Sequence, residues 1–159
     1  MGLTGDTLIL TDKGDVPVSE LVGKQFNVLV NGKSYPSTEK GFQSRGVTSS
    51  VYKVKIANNM ELSITLFHKI RMVEIPIVND TYEEVLDDEW GSVVDINGNK
   101  DKKTLYVCAY DEHKVCSFLH VESATAETRE VFECEIGFGQ FYANKILVGE
   151  FDNASYLWD

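Results

Sequence analysis

The strongest constraint on this chain is an alternation of apolar and polar residues with period two, cut at short intervals by turn residues. Val51-Tyr52-Lys53-Val54-Lys55-Ile56 alternates, Asn58-Asn59 turns the chain, and Glu61-Leu62-Ser63-Ile64-Thr65 returns it. That period puts every second side chain on one face, which suits a half-buried strand and not a helix. Phe26–Val30 and Lys33–Tyr35 flank Asn31-Gly32, a strong two-residue hairpin signal. Thr7–Thr11 is β-branched and apolar, and Lys13-Gly14 ends it. Pro17 places Val16-Pro17-Val18 at an edge. Ser19–Gly23 reads as one helical turn, with Ser19 as cap and Gly23 as stop.

The middle of the chain is less patterned. Asn79–Asp95 is acidic and fits either a short helix or a solvated loop. Asn97-Gly98 and Lys100–Lys103 are expected to form a turn. Thr104–Ala109 and Val115–Val121 read as a hairpin around Asp111-Glu112. Glu130–Ile136 alternates again, Gly137 and Gly139 break it, and Tyr142–Val148 closes with one more short strand. About ten short strands with few helical windows predict one all-β domain over residues 1–150, followed by a tail over 151–159. The tail carries Phe151, Tyr156, Leu157 and Trp158 and is expected to pack on the domain's own surface, with a partner-binding aromatic anchor as the alternative.

Charge narrows the partners. Fifteen Lys and Arg against 25 Asp and Glu give a net charge of −10. A chain this acidic lacks the basic footprint that displaces counterions from nucleic acid, and it is repelled by an anionic membrane surface. No apolar run is long enough to span a bilayer, and the first residues do not read as a signal peptide. Cys108, Cys116 and Cys134 are odd in number and lack CxxC spacing. They are expected to be small core residues of a reducing, cytoplasmic compartment, with no disulfide framework and no zinc site. No cofactor or metal is implied, and a monomer is expected.

No ordinary active-site motif is present: no Gly-x-Ser-x-Gly, no His-x-x-x-His and no phosphate loop. Of the three histidines, His113 falls in an expected turn and His120 in an expected strand, where a structural role is usual. His68 differs in its surroundings. Thr65-Leu66-Phe67-His68 directly follows the 51–65 hairpin. The chain opens with Leu3-Thr4-Gly5-Asp6-Thr7 running into a strand, and it closes with Val131-Phe132-Glu133 leading to Phe141–Val148.

Those three pieces, in that order and at those distances, resemble the splicing blocks of inteins and related Hint domains. The opening resembles the Cys-Leu-x-Gly-Asp start of an intein, Thr65 and His68 match its T-x-x-H, and Val131–Val148 resembles the block before the C-terminal splice junction. The resemblance covers about residues 2–150, and the length fits a mini-intein without a homing endonuclease. It implies a flattened β horseshoe, with one or two helical turns, whose two ends meet at one centre. It also implies a first residue that attacks the preceding carbonyl, a T-x-x-H histidine that protonates the departing amide nitrogen, and a threonine that polarises that peptide. A terminal Asn then cyclises with help from the His before it. The implied partners are flanking, extein-like host segments.

The departures decide the expected function. Gly2 stands at the nucleophile's place and has no heteroatom to attack with. Gly149-Glu150 stands at the terminal His-Asn: glutamate lacks the amide nitrogen that closes a succinimide, and glycine cannot relay a proton. Phe151 follows where a second nucleophile is wanted. Thr65 and His68 remain, and Glu133 stands where the family often has Asp. The expectation is therefore a Hint domain that no longer splices and serves as a structural or interaction module. One alternative is self-cleavage through relocated groups, Thr4 for the nucleophile or Asn153 for the terminal Asn. Another is an unrelated acidic β domain, which a different strand order would establish.

Overall fold

The computed structural model describes residues 2–78, 81–82, 89–99, 103–111 and 114–149. The expectations for the tail, for His113, for the Glu112 turn and for most of the acidic stretch fall outside them. Among the described residues, fourteen strands form one continuous hydrogen-bonded network. In chain order these are β1 Leu3–Thr4, β2 Leu8–Thr11, β3 Gly14–Pro17, β4 Asn27–Val30, β5 Lys33–Pro36, β6 Gln43–Ile56, β7 Met60–Thr65 and β8 Lys69–Val78. They continue as β9 Thr81–Tyr82, β10 Glu89–Gly91, β11 Lys103–Asp111, β12 Lys114–Glu133, β13 Gln140–Ala143 and β14 Ile146–Gly149. The spatial order is β1-β7-β6-β12-β11-β8-β14-β13-β2-β4-β5, with β3 on β2 and both β9 and β10 on β8. The all-β expectation holds.

Local turn chemistry explains the hairpins. Asn31 and Gly32 both take positive φ, as the β4–β5 turn requires, and Asn58 and Asn59 do the same between β6 and β7. β3 pairs β2 alone, so Pro17 stands where no ladder donor is missed.

Several sequence expectations are corrected. The single-turn helix is a 3-10 turn over Val18–Leu21 with Pro17 at its N-cap and no side-chain cap, so Ser19 lies inside it rather than capping it. Asn97-Gly98 is not a turn but part of helix α1, Val93–Asn99. Its start carries a side chain-to-backbone closure that overrides the weak propensity of Asn and Gly: the Asp95 carboxylate accepts the Ser92 N–H at 2.8 Å. The two strands expected at 115–121 and 130–136 are one 20-residue strand, β12, because β6 pairs along its length from Val121 to Glu133, with register shifts that absorb local misfit. The single closing strand is a hairpin, β13–β14, turned by Asn144 and Lys145 at positive φ. Cys108 is disulfide-bonded, while Cys134 is a free, buried thiol. The expectation of three reduced cysteines fails at Cys108, because an odd count and the absence of CxxC spacing do not prevent two cysteines remote from such a motif from meeting in the fold. The cysteines thus give no argument for a reducing compartment.

The core is continuous across both ends of the chain. Leu3, Ile9, Ile64, Ile70, Phe141, Ile146 and Val148 are all buried within one cluster. Phe42 ties the outer hairpin to it, stacking on Phe26 at 5.5 Å and meeting Phe141 edge-on at 6.5 Å. No helix among the described residues is long and apolar enough to cross a membrane.

Candidate functional site

Strand pairing brings the two ends together. Leu3 is opposite Ile64 on β7 and Phe132 on β12, which seats the start of the chain between two interior strands. At the other end, Val148 and Gly149 pair with Ile70 and Lys69 of β8, immediately after His68. Asn144 fastens the closing hairpin. Its Oδ1 accepts the Leu8 N–H at 2.7 Å, its Nδ2 donates to the Glu61 carbonyl at 2.8 Å, and its own N–H donates to the Leu8 carbonyl at 2.7 Å. One side chain therefore joins β2, β7 and the closing hairpin.

The Thr65–His68 segment is a tight link from β7 to β8. The His68 N–H donates to the Thr65 carbonyl at 3.1 Å, and the Leu66 N–H donates to Ser50 of β6 at 3.0 Å. Phe67 is left half exposed while His68 turns inward, fully buried. The link clasps Gly2 from both sides. The Gly2 N–H donates to His68 Nδ1 at 3.2 Å, the Thr65 N–H donates to the Gly2 carbonyl at 3.1 Å, and the Thr65 hydroxyl approaches the same oxygen at 3.4 Å.

This geometry fixes the state of the imidazole. Nδ1 accepts a hydrogen bond, so the neutral ring carries its proton on Nε2. Burial pushes the His68 pKa down to about 3, because the surroundings cannot solvate an imidazolium. The backbone of Gly149 favours the charged ring slightly, yet it falls short of a hydrogen bond to Nε2, which is buried and without a partner among the described residues. The neutral ring has no proton at Nδ1, so it can deliver one to the nitrogen at Gly2 only after Nδ1 has itself been protonated, a state that burial makes strongly acidic.

The other expected residues divide. Thr65, His68, Gly2 and Gly149 are brought together. Glu150 lies outside the described residues. Glu133 is not at the imidazole: its carboxylate pairs with the Arg45 guanidinium across β6 and β12. With Thr65, Phe67 and Val131 that pair lines a cleft of about 330 Å³. Thr4, weighed as a substitute nucleophile, lies on β1 two residues beyond Gly2. It is buried, and its hydroxyl is committed to the Asp6 carboxylate at 2.7 Å and the Thr7 hydroxyl at 3.0 Å. The Thr4 hydroxyl, helped by Arg129, holds the Asp6 carboxyl below the usual carboxylate range. Arg45 and Asn144 escaped the sequence reading. A left-handed Asn-Lys turn was detectable at Asn144, whereas nothing local marks Arg45.

A Cβ at Gly2 would lie 3.0 Å from Val131 Cβ and 3.4 Å from the Phe132 carbonyl, so a side chain there needs Val131 to yield by a few tenths of an ångström. The site as it stands is packed around a glycine.

No family model and no curated protein matches the chain. Solved structures do. The DnaB intein from Synechocystis sp. PCC 6803 is 19% identical, with a TM-score of 0.64 over 94% of this chain and 98% of that one. The DnaX mini intein from Spirulina platensis is 22% identical, with a TM-score of 0.65 over 94% and 99%. The PabCDC21-1 intein is 11% identical, with a TM-score of 0.64 over 94% and 98%. At such identities the likeness establishes the fold: this chain has the Hint fold of mini-inteins, which sets aside the alternative of an unrelated β domain.

Proposed function

We propose that this chain is an intein-like domain that retains the half of the splicing centre that grips the upstream junction and has lost the groups that react. The observation that carries the reading is the clasp on Gly2, with His68 Nδ1 at its amide nitrogen and the Thr65 donors on its carbonyl. His68 stands where a proton donor for release of an amine at Gly2 must stand, while the Thr65 donors hold the next carbonyl, that of the Gly2–Leu3 peptide, and so position Gly2 rather than polarise the junction peptide. The missing partner is the nucleophile. Gly2 has no atom that can attack the preceding carbonyl, so no acyl shift starts and His68 has no departing nitrogen to protonate. At the far end, Glu150 has no side-chain amide to cyclise. The domain then holds flanking polypeptide side by side as a non-reacting module.

Cleavage through relocated groups is the weaker reading, because Thr4 is buried and stands two residues beyond Gly2 on β1. The two are separated by intact mass after expression of the chain between two reporter domains. A single uncleaved species is expected, and any released fragment overturns the reading.

A further inference from the structure

We propose that Asn144 is the positioning residue of the closing hairpin: bonded at its turn to β2 and β7, it sets how far β14 reaches and so brings Gly149, rather than a neighbouring residue, against His68. The inference rests on the reading of Gly149 as the far side of the centre.

The ladders that hold the closing hairpin are short. Among the described residues β13 registers with β2 at Ala143 and Ile9, and β14 with β11 at Ile146 and Ala109. β14 meets β8 at Val148–Ile70 and Gly149–Lys69. Ile146 and Val148 are buried, which excludes a one-residue slip, because such a slip would turn both to the opposite face. That burial fixes the face of β14. The depth to which the hairpin is inserted needs a stop along the strand.

The stop lies at the other end of β14 from Gly149. Asn144 and Lys145 take φ of 47° and 68°, a left-handed turn that asparagine enters more readily than most residues. From that conformation Asn144 Oδ1 accepts the Leu8 N–H and Nδ2 donates to the Glu61 carbonyl. A side-chain amide both accepts and donates, so it can bind two strands at once, whereas an ionised carboxylate only accepts. Leu8 opens β2, the strand that follows Gly2 and β1, and Glu61 lies on β7, which ends at Thr65. Asn144 therefore sets β14 against the two segments that lead to Gly2 and to His68. The side chain is only partly buried and stands outside the core cluster, so its replacement opens no core cavity.

The test uses the whole chain, read by amide hydrogen exchange and nitrogen-15 NMR, so no cleavage is needed. Asn144→Gly keeps the left-handed turn and removes both side-chain bonds. Asn144→Asp keeps an acceptor for the Leu8 N–H and loses the donor to Glu61. Asn144→Gly is expected to speed exchange of the 147–149 amides by about ten-fold, and Asn144→Asp by about three-fold. Both are expected to shift the His68 Nε2 resonance, on the Gly149 side of the ring, while exchange at the Thr65 N–H, which holds Gly2, stays within about two-fold of the native chain. A residue that merely stabilised the fold would speed exchange at both ends alike. Native exchange at 147–149 in both variants, or equal speeding at Thr65, overturns the assignment. Either result in a chain that stays uncleaved between two reporter domains defeats this inference alone, whereas a released fragment defeats the reading of the domain as inert.

Discussion

At the Gly2 end the backbone is gripped by named atoms: an imidazole nitrogen on its N–H, and an amide and a hydroxyl aimed at its carbonyl. At the Gly149 end the backbone is held, among the described residues, by strand pairing, to Lys69 on one side and Gln140 on the other. Both ends lie against the same ring, and among the described residues the buried Nε2 has no partner. The difference teaches which part of such a centre the fold keeps by itself. Ladder pairing and a shared core suffice to bring two remote ends together, and side-chain identity decides whether anything happens there. Gly2 adds no side chain to the packing, and a larger residue there must displace Val131. His68 and Thr65 are part of the link from β7 to β8.

The largest expected effect comes from restoring one atom. Gly2→Cys, in a chain with an upstream reporter, is expected to give thiol-sensitive release of that reporter, with the downstream reporter staying attached. Val131 crowds the new Cβ, so Gly2→Cys with Val131→Ala is expected to cleave faster than Gly2→Cys alone. Adding His68→Ala is expected to slow the release by about 10²–10⁴-fold, the usual worth of a positioned proton donor. Cleavage that is indifferent to His68 would erase the contrast between the two ends, and mass spectrometry with and without added thiol reads the result.

A smaller effect separates pairing from chemistry. Ile70 is fully buried beneath the β8–β14 pairing. Ile70→Ala is expected to cost about 2–5 kcal/mol of stability, measured by denaturant unfolding, and to loosen the Gly149 end first in hydrogen exchange. Equal loosening at Gly2 and Gly149 would mean that the ends are held as one unit.

How much of this was legible in the sequence depended on distance along the chain. The hairpins at Asn31-Gly32 and Asn58-Asn59 were legible because their turn chemistry is local. The Thr65–His68 link was legible because its residues are contiguous and sit at the end of a clean alternation. The length of β12 was not, since its middle is an exposed polar stretch whose strand state comes from pairing with β6, more than 60 residues away in the ladder from Ser123 to Lys55. The same holds for Arg45 and Glu133, 88 residues apart, which pair across β6 and β12. Helix α1 was hidden by Asn97-Gly98, which reads as a turn until the Ser92–Asp95 closure is counted. Position in the fold came through from short motifs, while the partners of individual side chains did not.

Burial of the imidazole against Gly2 also sets a pH dependence. Above about pH 6.5 the ring is neutral in both folded and unfolded chains and contributes nothing. Below that, the unfolded chain takes up a proton that the folded chain refuses until its pKa of about 3, so stability falls as pH drops through this window. The most direct measurement is a nitrogen-15 NMR titration of His68 in the intact chain. Expected is a neutral ring with its proton on Nε2 that does not titrate down to about pH 4. An ordinary titration near pH 6.5, or a proton on Nδ1, would mean that the ring does not face the Gly2 amide, and the clasp on which the account depends would be absent.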